Sequence, residues 1–356
     1  MKKFVPLTVN DVNRETADTV SISFEIPQEH KEDFSFVPGQ YLTLKTEING
    51  EDVRRSYSIS SGTNEDELRV AVKQIEGGLF STFANTILQP GDELEVLPPL
   101  GRFTIETNPD NKKHYVLVAA GSGITPMMSM IKSVLTEEPN SEVSLIYGNR
   151  YFDTIIFREE IENLKDIYIG RFRPFHVLSG ELNEIDLFQG RIDGEKVKKF
   201  FNTFLDFDSC SGVYLCGPED MVKSVKDSML EMGMDKSDVH FELFITNKQI
   251  KDSGKVVEAK VESKKDVHVK VTLYGQQWEF DMAKDEYILD VASTKGLDVP
   301  YSCKGGMCCT CKAKMESGQV DMTVNYALES EEVEEGYILT CQAKPTTNEV
   351  DVNFDI

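Results

Sequence analysis

Four cysteines near the C-terminus constrain this chain more than any other feature. Cys303, Cys308 and Cys311 are spaced C-x4-C-x2-C, and Cys341 follows thirty residues after Cys311, which is the plant-type 2Fe-2S pattern. Thiolates suit iron, and four of them complete the coordination of two irons once the bridging sulfides are counted. Gly305 and Gly306 let the loop wrap closely and turn backbone N–H groups toward sulfur. A structural zinc site would use two C-x2-C pairs, and only one is present. A Rieske centre needs two histidines; His268 is far from the cysteines in sequence and no histidine follows it. The expected metal ligands are therefore Cys303, Cys308, Cys311 and Cys341. Cys309 falls off this spacing and reads as a small packed thiol, as does Cys210.

Seven cysteines, with four of them between Cys303 and Cys311, make a poor disulfide framework and a good redox pattern, which favours a reducing compartment. The lysines at the start precede no apolar h-region, and no stretch approaches the ~18 apolar residues of a membrane span. The expected location is the cytoplasm, away from the membrane. A net charge of -23 argues against nucleic-acid binding. Such acidity fits solubility, a salt-adapted host, or docking onto a basic protein.

A length of 356 residues allows two or three domains. From Phe4 to Ile105 short alternating segments, among them Thr19–Ile26, Gln40–Leu44 and Glu67–Lys73, are parted by Pro38-Gly39 and Pro90-Gly91 turns, as in an antiparallel barrel or sandwich. A short helix is expected after Gly77-Gly78. Beyond Asn108-Pro109 the texture changes. Tyr115–Ala120 reads as a buried parallel strand, followed by a glycine loop, a helix to Leu135 and a strand at Glu142–Tyr147. A later strand, Gly212–Cys216, precedes Gly217-Pro218 and another helix, which gives a doubly wound α/β domain. Asn247 to Lys260 is polar and reads as a linker. Two strand-like runs around Gly275 then open the cysteine-bearing unit. The expected boundaries are an antiparallel β unit over 1–107, a doubly wound α/β domain over 108–245, a linker over 246–261 and the cysteine-bearing unit over 262–356.

Three motifs point to ligands. Arg54-Arg-Ser-Tyr-Ser-Ile-Ser60 sets Arg55 and Tyr57 on one side of a strand and Ser58 on the other; a guanidinium suits phosphates and an aromatic ring suits a flat flavin. Alone, it could be an ordinary strand with a surface arginine and a core tyrosine. Gly77-Gly-Leu-Phe-Ser81 adds a turn and a helix N-terminus able to receive phosphate. Gly121-Ser-Gly-Ile-Thr-Pro126 follows a buried strand and opens a helix, like a dinucleotide loop whose third glycine is replaced by proline. Cys216-Gly217-Pro218 falls at the carboxyl edge of the same sheet, where ligands bind in open α/β folds; otherwise Cys216 is a buried strand-end thiol.

Carrying these motifs in this order, the chain resembles the ferredoxin-NADP reductase superfamily, in its oxygenase-reductase branch with a C-terminal plant-type ferredoxin, which implies an antiparallel flavin-binding β-barrel over 1–107, a doubly wound nucleotide-binding domain over 108–245 and a β-grasp ferredoxin domain over 262–356. RRSYSIS, AVKQIEGGLFS, AAGSGITPM, LIYGNR, PYSCKGGMCCTCKAK and LTCQAKP are similar to segments of the phenylacetyl-CoA epoxidase reductase subunits within that branch. The resemblance implies Arg55 on the flavin pyrophosphate, Tyr57 against the isoalloxazine and Ser58 near its N5, with Lys73, Gly78 and Ser81 in a second flavin segment. It implies Gly121, Gly123, Thr125 and Pro126 in the nicotinamide nucleotide loop and Cys216, with Gly217 and Pro218, at the nicotinamide. Glu242 and Phe244 match a Glu-x-Phe segment near the flavin. One departure is Ser179-Gly180, where NADP-preferring relatives often carry Ser-Arg; Arg150 is the substitute cation, so NADPH and NADH both stay open.

A nicotinamide gives two electrons as hydride and a 2Fe-2S cluster takes one, so a flavin must stand between them. The expected function is an NAD(P)H-dependent reductase passing electrons through FAD and the cluster to a protein acceptor, a multicomponent oxygenase such as a phenylacetyl-CoA epoxidase. The alternatives are a phthalate-dioxygenase-type FMN reductase of another oxygenase and a non-catalytic iron-sulfur carrier or scaffold.

Overall fold

A computed structural model describes residues 2–244 and 266–356; the expected linker at 246–261 lies outside them. The first unit is built on strands β1 (Val5–Thr16), β2 (Thr19–Glu25), β3 (Tyr41–Ile48), β4 (Glu51–Ser58), β5 (Leu68–Lys73) and β6 (Glu93–Leu100). They form one antiparallel sheet in the order β4-β3-β6-β1-β2-β5. A bridge between Ile59 and Val70 joins its two edges, so the sheet closes into a barrel and leaves no long unpaired edge. Leu42, Leu44, Val70, Val72 and Val96 fill it, the inward positions of alternating strands. Helix α1 (Leu79–Thr86) packs Phe80 and Ala84 into that core, as the glycine pair at 77–78 led one to expect.

The second unit holds the parallel strands β7 (His114–Ala120), β8 (Glu142–Asn149), β9 (Phe172–Leu178), β10 (Cys210–Gly217) and β11 (Val239–Leu243). Their order is β11-β10-β7-β8-β9. The chain runs outward from β7 to β9 and then returns to β10 on the other side of β7, so the crevice at the carboxyl ends of β7 and β10 is the topological switch point. Both faces of the sheet are covered. Helices α2 (Ile124–Glu137) and α3 (Arg158–Ile167) belong to one core with Leu117 and Leu145; helices α4 (Gly194–Thr203) and α5 (Glu219–Glu231) belong to the other with Val116 and Val118.

The third unit contains β12 (Val267–Leu273), β13 (Gln276–Met282), β14 (Lys312–Ser317), β15 (Val320–Met322), β16 (Tyr337–Leu339), β17 (Ala343–Pro345) and β18 (Glu349–Asn353). Five of them form a mixed sheet in the order β13-β12-β18-β14-β16, while β15 and β17 pair with each other. Strands β12 and β18 run parallel and the other neighbours in the large sheet antiparallel. The helix Ile288–Thr294 covers it, burying Ile288, Leu289 and Ala292. The cysteine loop spans the connection between this helix and β14. Among the described residues no helix is long and apolar enough to cross a membrane.

Candidate functional site

The carboxyl end of β4 meets the carboxyl edge of the α/β sheet at one hydrogen bond: buried Ser58 donates through Oγ to Glu242 Oε2 at 3.5 Å. In register, Glu242 on β11 sits beside Cys216 on β10, and Cys216 sits beside Ala119 on β7. Strand pairing thus sets Cys216 beside Glu242, and the packing of the barrel on the α/β sheet brings Ser58 to Glu242, joining residues 184 positions apart. Cys216 is fully buried, and burial, reinforced by Glu242, holds its thiol well above its ordinary value. Burial pushes Glu242 up to about 7, with the Ser58 hydrogen bond pulling the other way.

The nucleotide loop follows β7. Gly121 adopts φ +56° and its carbonyl accepts from Tyr147 Oη at 2.9 Å. A Cβ on Gly123 would lie 2.2 Å from the carbonyl oxygen of Cys216, so only glycine lets this loop close on β10. Thr125 Oγ1 donates to Ser122 O at 3.0 Å, and Pro126 is buried in the first turn of α2, where its missing N–H is harmless. Gly217 has φ +154°, Pro218 leads into α5, and Phe244 donates its N–H to Gly217 O at 3.3 Å. Arg150 lies over the Tyr151 ring at 5.2 Å, and its carbonyl accepts from Gly180 at 2.7 Å. The glycine standing where an arginine was looked for therefore lies against the alternative cation.

On the barrel side Arg55 is exposed and donates to Arg54 O at 2.7 Å. The Tyr57 ring lies 5.4 Å from Phe80, tying β4 to α1. Gly78 leads into α1, and a Cβ there would meet Ser81 Oγ at 2.4 Å. Ser81 Oγ accepts from Ile75 N–H at 3.2 Å, which tightens the turn. Lys73 is half-buried, 3.5 Å from Asp18. An exposed guanidinium, a glycine cradle and a helix N-terminus line one edge of the barrel, a donor set that fits a phosphate-bearing flavin.

The cluster thiols fall into two pairs. Cys303 Sγ is 3.2 Å from Cys308 Sγ and accepts N–H groups from Gly305 at 3.3 Å and Cys308 at 3.4 Å. Cys311 and Cys341, both buried, form the other pair and interact through their thiols; Cys303 in turn acts on Cys341. Two thiols for each of two irons is the demand of a 2Fe-2S cluster, and the amides aimed at Cys303 suit a thiolate. Cys309 turns away, its Sγ donating to Ala327 O at 3.5 Å.

Sequence reasoning passed over Arg54, Tyr41 and Thr310. Arg54 is 4% exposed and Tyr41 Oη reaches Thr310 Oγ1 at 3.2 Å, 269 residues away. Arg54 had a signal: two adjacent arginines on a strand must face opposite ways, and an inward one needs carboxylates.

Fold and site together define a pyridine-nucleotide reductase with a flavin and an iron-sulfur centre. Family descriptions match in the same order: an oxidoreductase FAD-binding domain over residues 6–105, an oxidoreductase NAD-binding domain over 117–227 and a 2Fe-2S iron-sulfur cluster binding domain over 271–346. The chain is 41% identical over 357 residues to a 1,2-phenylacetyl-CoA epoxidase subunit of Escherichia coli K12, covering 100% of this chain and 99% of the relative. It is 33% identical to the ferredoxin reductase component of 3-ketosteroid-9-alpha-monooxygenase from Rhodococcus rhodochrous, over 98% of this chain and 97% of that one. Phthalate dioxygenase reductase shares the fold, with a TM-score of 0.59 at 24% identity over 99% of this chain and 98% of that chain. The chain belongs to the family of oxygenase reductase components that combine FAD-binding, NAD-binding and 2Fe-2S domains.

Proposed function

We propose that this chain is the reductase of a phenylacetyl-CoA epoxidase, working in the cytoplasm and drawing on NADPH or NADH. Full-length similarity to the Escherichia coli protein carries this reading. We take its domains as 1–107, 108–245 and 262–356, joined by the linker 246–261.

Bound FAD would supply the conversion of a hydride's two electrons into single electrons that a 2Fe-2S cluster can take. The protein's part is to bind and align. Arg55, Lys73 and the α1 N-terminus at Gly78 and Ser81 would hold the flavin phosphates; Tyr57 and Phe244 would lie near its ring system, and Ser58 would stand at the reacting edge. Gly121, Gly123, Thr125 and Pro126 receive the nucleotide phosphates at the switch point, and Arg150 meets the 2′-phosphate. Cys216, Gly217 and Pro218 wall the nicotinamide, where a neutral, buried thiol excludes water. Glu242 accepts from Ser58 through Oε2, and burial favours a proton on its carboxyl. Cys303, Cys308, Cys311 and Cys341 hold the cluster.

The test is reconstitution. The purified protein should show flavin and cluster bands, should reduce cytochrome c with NADPH or NADH, the two rates measured in parallel deciding which it prefers, and should support epoxidation of phenylacetyl-CoA when mixed with the oxygenase components. Electron delivery to another oxygenase but not to this one would overturn the assignment of partner.

A further inference from the structure

One face of the β3–β4 hairpin carries both Ser58, at the edge of the flavin site, and the seat of the ferredoxin domain. Tyr41 pairs with Ser58, Thr43 with Ser56 and Lys45 with Arg54; alternation therefore sets Arg54, Ser56 and Ser58 on one side of β4. Ser58 reaches the nucleotide domain at Glu242. The other two reach the ferredoxin domain: Ser56 Oγ donates to Ser302 Oγ at 2.8 Å, and Arg54 donates to Val299 O at 3.2 Å and to Asp298 Oδ1 at 2.5 Å. With Tyr41 on Thr310, these contacts bracket the cysteine loop, two segments just ahead of Cys303 and one between Cys309 and Cys311.

Arg54 is the anchor of this row. Its guanidinium also donates to both oxygens of Asp52, at 3.0 and 2.8 Å, and lies 4.4 Å from the centre of the Tyr301 ring. Burial alone would lower its pKa, but the bonds to Asp52 and Asp298 carry it above the ordinary guanidinium value, so it stays charged. A planar fork with several fixed N–H directions can serve two carboxylates, a carbonyl and a ring at once; an ammonium cannot.

We propose that Arg54 is a positioning residue for electron transfer, setting the register of the ferredoxin domain on the barrel and hence the separation of the flavin edge at Ser58 from the cysteine loop. This rests on the reading that flavin electrons pass to the cluster, one per step and two steps per hydride. Single-electron transfer falls off exponentially with separation, so a loosened seat slows that step. Hydride transfer occurs between the barrel and the nucleotide domain, whose contacts, Lys132 with Glu65 and Thr63 with Ser133, do not involve Arg54.

Anaerobic stopped flow of the holoenzyme with NADPH resolves flavin reduction from cluster reduction. Arg54→Ala and Asp298→Ala should leave the first rate within about twofold and slow the second by roughly tenfold or more, the scale of effect a small misplacement produces. Arg54→Lys should restore only part of the loss. Hydrogen exchange supplies a readout apart from turnover: amides at 298–302 should exchange faster in Arg54→Ala. Asp298, on the rim, is the variant least able to disturb the barrel core, so it decides the matter if Arg54→Ala folds poorly. Cluster reduction at the native rate in Asp298→Ala, an equal slowing of both phases, or unchanged exchange at 298–302 would overturn the proposal. Native protein that reduces its flavin but not its cluster would instead overturn the functional reading, and the exchange experiment would still decide whether Arg54 seats the domain.

Discussion

Cys309 donates its thiol to Ala327 O while Cys341 is buried beside Cys311, so the same substitution should have opposite consequences at the two positions. Cys341→Ser should lose the cluster and its reduced-state EPR signal, with flavin reduction by NADPH intact in the other two domains. Cys309→Ser should keep the signal; its loss there, with retention in Cys341→Ser, would reverse the ligand assignment. Glu242 makes a second residue-scale case. Its carboxyl is raised from 4.5 to about 7 by burial, so between these values the folded chain binds more protons than the unfolded one. Stability from this group is therefore full below the unfolded value and is lost as pH rises through about 7. Glu242→Gln should melt with the native protein near pH 4.5 and above it at pH ~8.5. A melting difference that does not change with pH would show that the carboxyl is not held in its neutral form.

At the scale of elements, the two glycines of the β7–α2 loop separate two physical demands. Gly121 has nothing within 4 Å of a Cβ but a φ of +56°, whereas Gly123 has ordinary helical backbone and a Cβ site 2.2 Å from Cys216 O. Gly121→Ala should cost about 1 kcal/mol of backbone preference. Gly123→Ala must push β7 and β10 apart at the switch point, an overpacking of about 1–3 kcal/mol. Its flavin spectrum should stay normal while reduction by NADPH slows strongly in stopped flow; an unchanged rate would detach this loop from nucleotide binding. These elements were legible in the sequence because their signals are local. The apolar run Tyr115–Ala120, the glycine loop behind it and the C-x4-C-x2-C spacing each lie within one element or one turn. Tyr41 and Thr310 were not legible, and Arg54 only as the arginine facing away from Arg55, because their partners are set by how the barrel and the ferredoxin domain pack. Ser58 and Glu242 were named from resemblance, yet their contact depends on β11 pairing with β10, which no local pattern encodes.

For the whole molecule, we propose that exposed acidic side chains of the ferredoxin domain meet the oxygenase. The run from Glu329 to Glu335 forms the short helix Ser330–Glu334, but its members are not equivalent. Glu332 is committed within the chain: it pairs with Arg102 of the barrel and, at 3.3 Å, with Lys312, and its carboxyl stays below the ordinary range because the Glu329 amide and these cations outweigh its burial. Glu331, Glu334 and Glu335 are exposed, as is Glu329, whose side chain also accepts from the Glu332 amide at the helix N-terminus; Tyr326 and Val333 are exposed apolar side chains of the same stretch. An acidic rim around a small apolar patch suits a basic partner, which it would steer by long-range attraction. Changing those four glutamates to glutamine should reduce electron delivery to the oxygenase at low salt, and the native advantage should fade as ionic strength passes ~0.15 M, where the screening length is about 8 Å. Glu332→Gln should behave differently, weakening the seat of the ferredoxin domain on Arg102 and altering cluster reduction within the reductase itself. Flavin reduction by NADPH, confined to the crevice between the other two domains, should vary little with salt in every variant. Partner turnover that is indifferent to salt, or undiminished in the fourfold variant, would leave the acidic helix with no part in docking.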